Sequence, residues 1–276
     1  MNRRFSAVLV ASLTVASLLL LPAAASDLPP ATEVLTKAIA RAKWVDEQKL
    51  DAGWASTRRS IEQKLNKEGQ VEETTERLSQ PVLIQGKVYS RLVAKNGKPL
   101  SAEDQKKEAA REKKFREALA KPKKTDRKAD NDDDDVELNA ELIARYHFTV
   151  IKREPVGDRP AYMLTFLPKT GVKLPEKKRM DRLLNRLEGR VWIDSENYSL
   201  LKVDMHLTEP TTLMAGLGSV RSLDFLIEMM QVAPDVLQPK EVMTAFEGRQ
   251  LFKSMRVKQR GYFTDYRKVS ELAEAK

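Results

Sequence analysis

The sequence predicts an α+β fold built on an antiparallel sheet with one buried face, and three observations carry that prediction. The first is the stretch Leu187–Leu207, LEGRVWIDSENYSLLKVDMHL. In its second half Leu201, Val203, Met205 and Leu207 are apolar, while Lys202, Asp204 and His206 between them are polar. Strand side chains point to opposite faces in turn, so this segment has one dry side and one wet side. Its first half, Gly189–Asp194, is rich in β-branched and aromatic residues, as strands are. The second observation is Asp194-Ser-Glu-Asn197 between the halves, whose short polar side chains hydrogen-bond local backbone and reverse the chain. The third is the recurrence of extended runs along the chain, separated by turn residues and interrupted by few helical patterns, as in antiparallel α+β proteins.

The chain opens with Met1-Asn-Arg-Arg4, an apolar run from Phe5 to Leu21, and Pro22-Ala-Ala-Ala-Ser26. A positive start, a short apolar core and small residues at Ala23 and Ala25 describe a secretory signal peptide over residues 1–25, cleaved before Ser26. The alternative, an N-terminal membrane anchor, is disfavoured because the run barely reaches bilayer-spanning length and contains Ser and Thr. The expected product is one exported domain over residues 26–276, periplasmic or secreted, with no transmembrane segment. The sequence contains no cysteine, which excludes a disulfide framework, thiolate metal sites and a lipidated N-terminal Cys. Its net charge is +9, which favours attraction to an anionic envelope surface. Lys and Arg are nevertheless spread among many acidic residues, and no basic–aromatic nucleic-acid motif occurs.

Thr32–Gln48 carries Val34, Leu35, Ala38, Ile39, Ala42 and Val45 at helical spacing behind a Thr32 cap. Trp54–Leu65 and Val71–Leu78, joined by the turn Asn66–Gly69, are expected to form a solvent-facing hairpin at one end of the sheet. Pro81–Val93 reads as a further strand or hairpin, closed by Lys95-Asn-Gly-Lys98. Ser101-Ala-Glu-Asp104 resembles a capping box ahead of a charged helix, Gln105–Leu119. Lys121–Asp135 is a basic block followed by an acidic one with no apolar residue larger than Ala, so it is expected to be a flexible loop. Residues 101–135 together are expected to be a charged, partly disordered insertion. A helix over Val136–Arg145, strands over Tyr146–Arg153 and Ala161–Leu167, and a basic helix over Pro175–Leu187 precede the central hairpin. Thr208–Ser219 reads as a glycine-containing loop, Val220–Val232 as extended, and Pro239–Glu247, Gln250–Arg260 and Tyr262–Arg267 as short strands.

Catalytic motifs are missing. His147 and His206 belong to no ligand spacing, and no Gly-x-Ser-x-Gly elbow or phosphate-cradling glycine loop occurs. The four aspartates Asp132–Asp135 lack the glycine and terminal Glu of an EF-hand loop. Asp194 and Glu196 are accounted for as turn residues. Trp192, facing away from Val191 and Ile193, is expected to pack under a helix such as Pro175–Leu187 or else to line a ligand surface. No catalytic residue, metal site or cofactor is assigned.

The sequence LEGRVWIDSENYSLLKVD and the closing Phe263-Thr-Asp-Tyr-Arg267 resemble the lipoprotein-carrier superfamily, over about Leu142–Lys268. Its members include the periplasmic lipoprotein chaperone, its outer-membrane receptor and a sigma-factor regulator that senses envelope damage. The resemblance implies an antiparallel sheet curled into an incomplete β-barrel, with helices covering the open side. The charged insertion departs from that pattern, and the missing lipidated Cys argues against the receptor role. Such a barrel leaves a groove in which an acyl chain gains roughly 0.8 kcal/mol per buried methylene. The leading expectation is a non-enzymatic carrier or sensor of a lipid or lipoprotein acyl chain. An envelope interaction protein with a filled core is the alternative, and a hydrolase the third. In the first case Phe225, Ile227 and Met229 would line the groove. Leu213, Met214 and Leu217, apolar residues beside two glycines, would form its lid; the alternative is an ordinary connection whose apolar residues cap the core.

Overall fold

The computed structural model describes residues 28–120, 139–176, 180–213, 218–250 and 253–274. The expected signal peptide, the block Lys121–Asp135, and Met214 and Leu217 of the expected lid lie outside these residues. In chain order the elements are α1 (Ala31–Glu47), β1 (Trp54–Leu65), β2 (Val71–Ile84), β3 (Lys87–Lys95), β4 (Lys98–Pro99), α2 (Ala102–Ala120) and α3 (Ala140–Ala144). There follow β5 (Tyr146–Val156), β6 (Arg159–Pro168), α4 (Asp181–Leu184), β7 (Leu187–Asp194), β8 (Leu200–Leu207), β9 (Thr211–Leu213), β10 (Gly218–Ala233), β11 (Val236–Gln250) and β12 (Lys253–Lys268). All these strands belong to one antiparallel sheet in the order β4-β3-β2-β1-β12-β11-β10-β8-β7-β6-β5, with β9 continuing β8 along the edge of β10. The sheet does not close on itself. It is the incomplete barrel of an α+β protein.

The register assigns each strand's two faces. Val191 pairs with Leu164 and Val203, and Val203 in turn with Ile227, so these four share one face. Helix α1 lies on that face, packing Val34, Leu35 and Ala38 against Leu164, Val191 and Ile193. Farther along the same face Tyr146, Phe166 and Leu187 form a second cluster that takes in Phe148, Met205 and Leu207. Tyr146 and Phe166 meet edge to face at 5.2 Å. The apolar faces of β5, β6 and β8 therefore look into a common interior, as the alternation predicts.

Leu201 is the exception. The β7–β8 register shifts between Trp192↔Lys202 and Ile193↔Leu200, leaving Leu201 as an extra residue. A bulge of this kind turns a side chain to the other face, and Leu201 joins Ala161, Met163 and Trp192 there. The expectation of a single buried face thus fails at this end of the sheet, where both faces are dry. Trp192 does not pack under a helix. Its indole Nε1 donates to Glu154 at 2.8 Å, and Lys202 lies over its ring at 4.9 Å. The lysine's ammonium thus sits on the electron-rich face of the ring, a cation–π contact.

Several boundaries also differ from expectation. The helix expected over Pro175–Leu187 is one turn, Asp181–Leu184, and Leu187 already begins β7. A buried ion pair holds that turn in place, Arg145 donating to Asp181 at 2.7 Å and to Asn185 at 2.8 Å. Of the helix expected over Val136–Arg145, the described part is the single turn α3, capped by the Asn139 side chain, which accepts from the Leu142 N–H. The hairpin expected at the end of the sheet sits inside it, because β1 pairs with β12 as well as with β2. Strand β2 runs through Pro81, which is tolerated because β1 pairing stops at Ser79 and leaves Pro81 partnered on one side only. The C-terminal strands are 15 and 16 residues long rather than short.

Helix α2 begins at the expected box, where the Asp104 N–H donates to Ser101 Oγ at 3.1 Å. Its Glu108 accepts from the Tyr89 hydroxyl at 2.9 Å and from the Leu92 N–H at 3.1 Å, so this part of the charged insertion is docked on β3. The outer edge at the other end is β5, which is kinked by an extra residue, Ile151, between Val150 and Lys152.

Candidate functional site

The face that carries α1 is the inner face of the curl. Residues from five neighbouring strands, β11, β12, β1, β2 and β3, border one cavity of about 310 Å³. Five strands in a flat sheet would span roughly 19 Å at about 4.8 Å per step, too wide to enclose so small a volume. The sheet must therefore bend toward this side.

The inner face has two chemically different parts. On β10, Phe225 pairs with Met205 and Thr244, and Ile227 pairs with Val203 and Val242. Met229, two residues on, has the same facing. All of these side chains are half-buried, and Phe225, Ile227, Met229 and Val242 belong to none of the buried clusters found among the described residues. They form an apolar strip continuous with the core but not filled by it. The end of α1 stands beside the strip: Arg41 donates to Asp235 at 2.8 Å in the β10–β11 turn and stacks on Trp44, which is 40% exposed.

Across β12 the same face becomes polar. Arg58, Ser60, Glu62, Arg77, Ser79 and Gln259 take the positions that Val203 and Ile227 hold on the other side. Arg77 donates to Glu62 at 3.5 Å and Gln259 to Glu62 at 3.2 Å. Gly261 floors this part; a Cβ there would touch Phe263 at 3.5 Å and Arg58 Nε at 3.7 Å. Arg111 of α2 reaches the cavity from the β3 edge, held by Glu108 at 2.8 Å. Burial raises the Glu108 carboxyl, but its bonds from Arg111, Tyr89 and the Leu92 N–H outweigh that and hold it below the usual range. Burial and the Glu108 hydrogen bond push the Tyr89 hydroxyl up to about 12.

The structure places Phe225, Ile227 and Met229 side by side on the inner face. The loop expected over Thr208–Ser219 is partly sheet instead, since Thr211–Leu213 pairs with Gly218–Val220. Asp194 is the expected turn residue: it is fully buried, accepts from the N–H groups of Glu196 and Asn197, and pairs with Arg159 at 2.7 Å. His206 meets Glu188 at 3.0 Å as a cross-strand pair on the outer face, away from the cavity. The polar residues Arg58, Ser60, Arg77 and Gln259 escaped sequence reasoning. In Arg58–Lys64 every residue but Ile61 is polar, so no alternation marks an inner face, and the strand order alone places Arg58 and Ser60 inside the curl.

No protein-family model and no curated protein matches the chain. Solved structures do match. A domain described as a putative outer membrane lipoprotein-sorting protein domain, from Vibrio parahaemolyticus, is 14% identical with a TM-score of 0.36, covering 86% of this chain and 94% of its own. A LolA superfamily protein from Nitrosomonas europaea is 11% identical with a TM-score of 0.29, covering 87% and 94%. The MucA/MucB complex of Pseudomonas aeruginosa matches at 11% identity and a TM-score of 0.21, covering 86% of this chain and 100% of the other.

Proposed function

We propose that this chain is a non-enzymatic periplasmic carrier or sensor that holds the acyl chain of a lipid or lipoprotein along the inner face of its open sheet. The observation that carries the reading is the strip Phe225, Ile227, Met229 and Val242, which is apolar, half-buried and outside the filled clusters. Each methylene laid on it gains roughly 0.8 kcal/mol, so a chain of ordinary length binds without any covalent chemistry. The N-terminal pattern over residues 1–25 supports export, and residues 26–276 are taken as one domain. Leu213, Met214 and Leu217 serve as the lid in this reading.

The test is titration of delipidated protein with a fluorescent fatty acid. Wild type is expected to bind. Ile227→Asp is expected to abolish binding, because a carboxylate on the strip would have to be desolvated by the chain. Leu213→Ser with Leu217→Ser is expected to change affinity while the far-ultraviolet circular dichroism stays the same. If delipidated wild type binds no such probe, the chain is an envelope interaction protein instead.

A further inference from the structure

The cavity beside the apolar strip has its own chemistry. Among its lining residues the only carboxylate is Glu62, against the arginines Arg58, Arg77, Arg111 and Arg260. Arg260 belongs to the other face by register and spends its guanidinium on Glu241 there. Arg111 is shared with Glu108, and Arg77 makes only a 3.5 Å contact with Glu62. Arg58 lies 5.5 Å over the ring of Phe263 and has no carboxylate partner among the described residues. Hydroxyls of Ser60, Ser79 and Thr244 and the amide of Gln259 supply further hydrogen-bonding groups around the same space. A concave site with surplus guanidinium groups and neutral donors is built for an oxyanion, which arginine binds through paired N–H groups.

Its position defines the ligand further. Val242 and Thr244 border the cavity and pair directly with Ile227 and Phe225 of the strip. From the strip on β10 to Arg58 on β1 is three strand steps, roughly 14 Å. That is the scale of an anionic headgroup joined to the first part of an acyl chain.

We propose that the Arg58–Arg77–Gly261 cavity is an anion subsite that takes the phosphate of an acylated amphiphile whose chain lies on the Phe225–Met229 strip. The chain half of this statement rests on the function proposed above; the phosphate half does not. Glu62 tempers the site by holding Arg77, and Gly261 keeps its floor open.

Three probes separate these elements: a fluorescent lysophosphatidylglycerol, an uncharged monoacylglycerol with the same labelled chain, and inorganic phosphate alone. Wild type is expected to bind the anionic probe about tenfold more tightly than the uncharged one, the scale of one charge-assisted hydrogen bond. The preference is expected to fall as salt is raised. Arg58→Gln should erase it while leaving the uncharged probe within about twofold. Glu62→Gln, which removes the one opposing charge, should increase it, an outcome that a merely structural role for these residues does not produce. Equal affinity of wild type for the two lipid probes, or equal loss of both in Arg58→Gln, overturns the subsite even if acyl binding stands. Binding of inorganic phosphate in an Arg58-dependent way, with neither lipid probe bound, upholds the anion site for a free phosphate and overturns the acyl reading. Binding of none of the three overturns both.

Discussion

The two halves of this sheet are held by different forces. Around β5–β8 the chain buries Leu164 and Ile193 completely, adds an aromatic cluster, and covers one face with α1. Around β1–β3 the ladders are lined with ion pairs such as Arg59–Glu76 and Lys64–Glu73, and the helix that docks there, α2, buries a single residue, Glu108. The first half can hold its shape by excluding water. The second depends on its neighbours, and β1 obtains them by pairing with the last strand of the chain. Under the proposed reading, this division gives the groove one dry side and one side that tolerates charge.

The largest effect should come from damaging the dry half. Leu164→Ala leaves a cavity under α1 and is expected to cost about 2–5 kcal/mol, measured by urea unfolding followed through tryptophan fluorescence. A loss well below that would mean the half-barrel is held mainly elsewhere. Next comes the docking of α2 on the polar half. Glu108→Gln keeps one oxygen for Tyr89 and the Leu92 N–H but removes the charge and puts a donor where the second oxygen accepts from Arg111, and is expected to cost about 1–3 kcal/mol. Because the folded-state carboxyl is held below its ordinary value, its contribution is present above the unfolded pKa and is lost as pH falls through the folded one. The stability difference between wild type and Glu108→Gln should therefore shrink on acidification in thermal melts; a constant difference would show that charge is not what docks α2.

Smaller still is Arg59→Ala. Its pair with Glu76 lies at the surface, with the arginine side chain 52% exposed, so less than about 1 kcal/mol is expected. The smallest effect is expected on replacing Lys121–Asp135, which links the two halves, by a short Gly-Ser segment. It has nothing apolar to bury, and closure entropy varies slowly with length. A large fall in melting temperature would show that the segment packs on the body.

What could be read from the sequence follows the same division. In the dry half the alternation of Val203, Met205 and Leu207 located the strand, its face and the hairpin turn at Asp194, because burial forces a periodic pattern. Leu201 was misplaced since a bulge leaves no mark in the alternation of the strand that carries it. The helix expected over Pro175–Leu187 showed apolar residues at helical spacing, but Leu187 is claimed by pairing with Leu207, and tertiary pairing overrides local propensity. The shared facing of Phe225, Ile227 and Met229 was legible because they alternate with polar or outward residues. The cavity was not, since Arg58 and Gln259 lie some 200 positions apart in the sequence and meet through the β1–β12 pairing that no local pattern announces.

The extra residue at Ile151 has a consequence for the molecule in company. Among the described residues β5 is the sheet's long unpaired margin, and a straight, apolar margin offers its unpaired backbone groups to any other chain as a template. Here the strand is kinked where its most apolar exposed side chain, Ile151, sits 46% exposed, and Lys152 and Arg153 follow at once. A second copy approaching edge to edge would meet a break in register and two like charges. The sheet thus stays open without inviting fibrous growth along this margin.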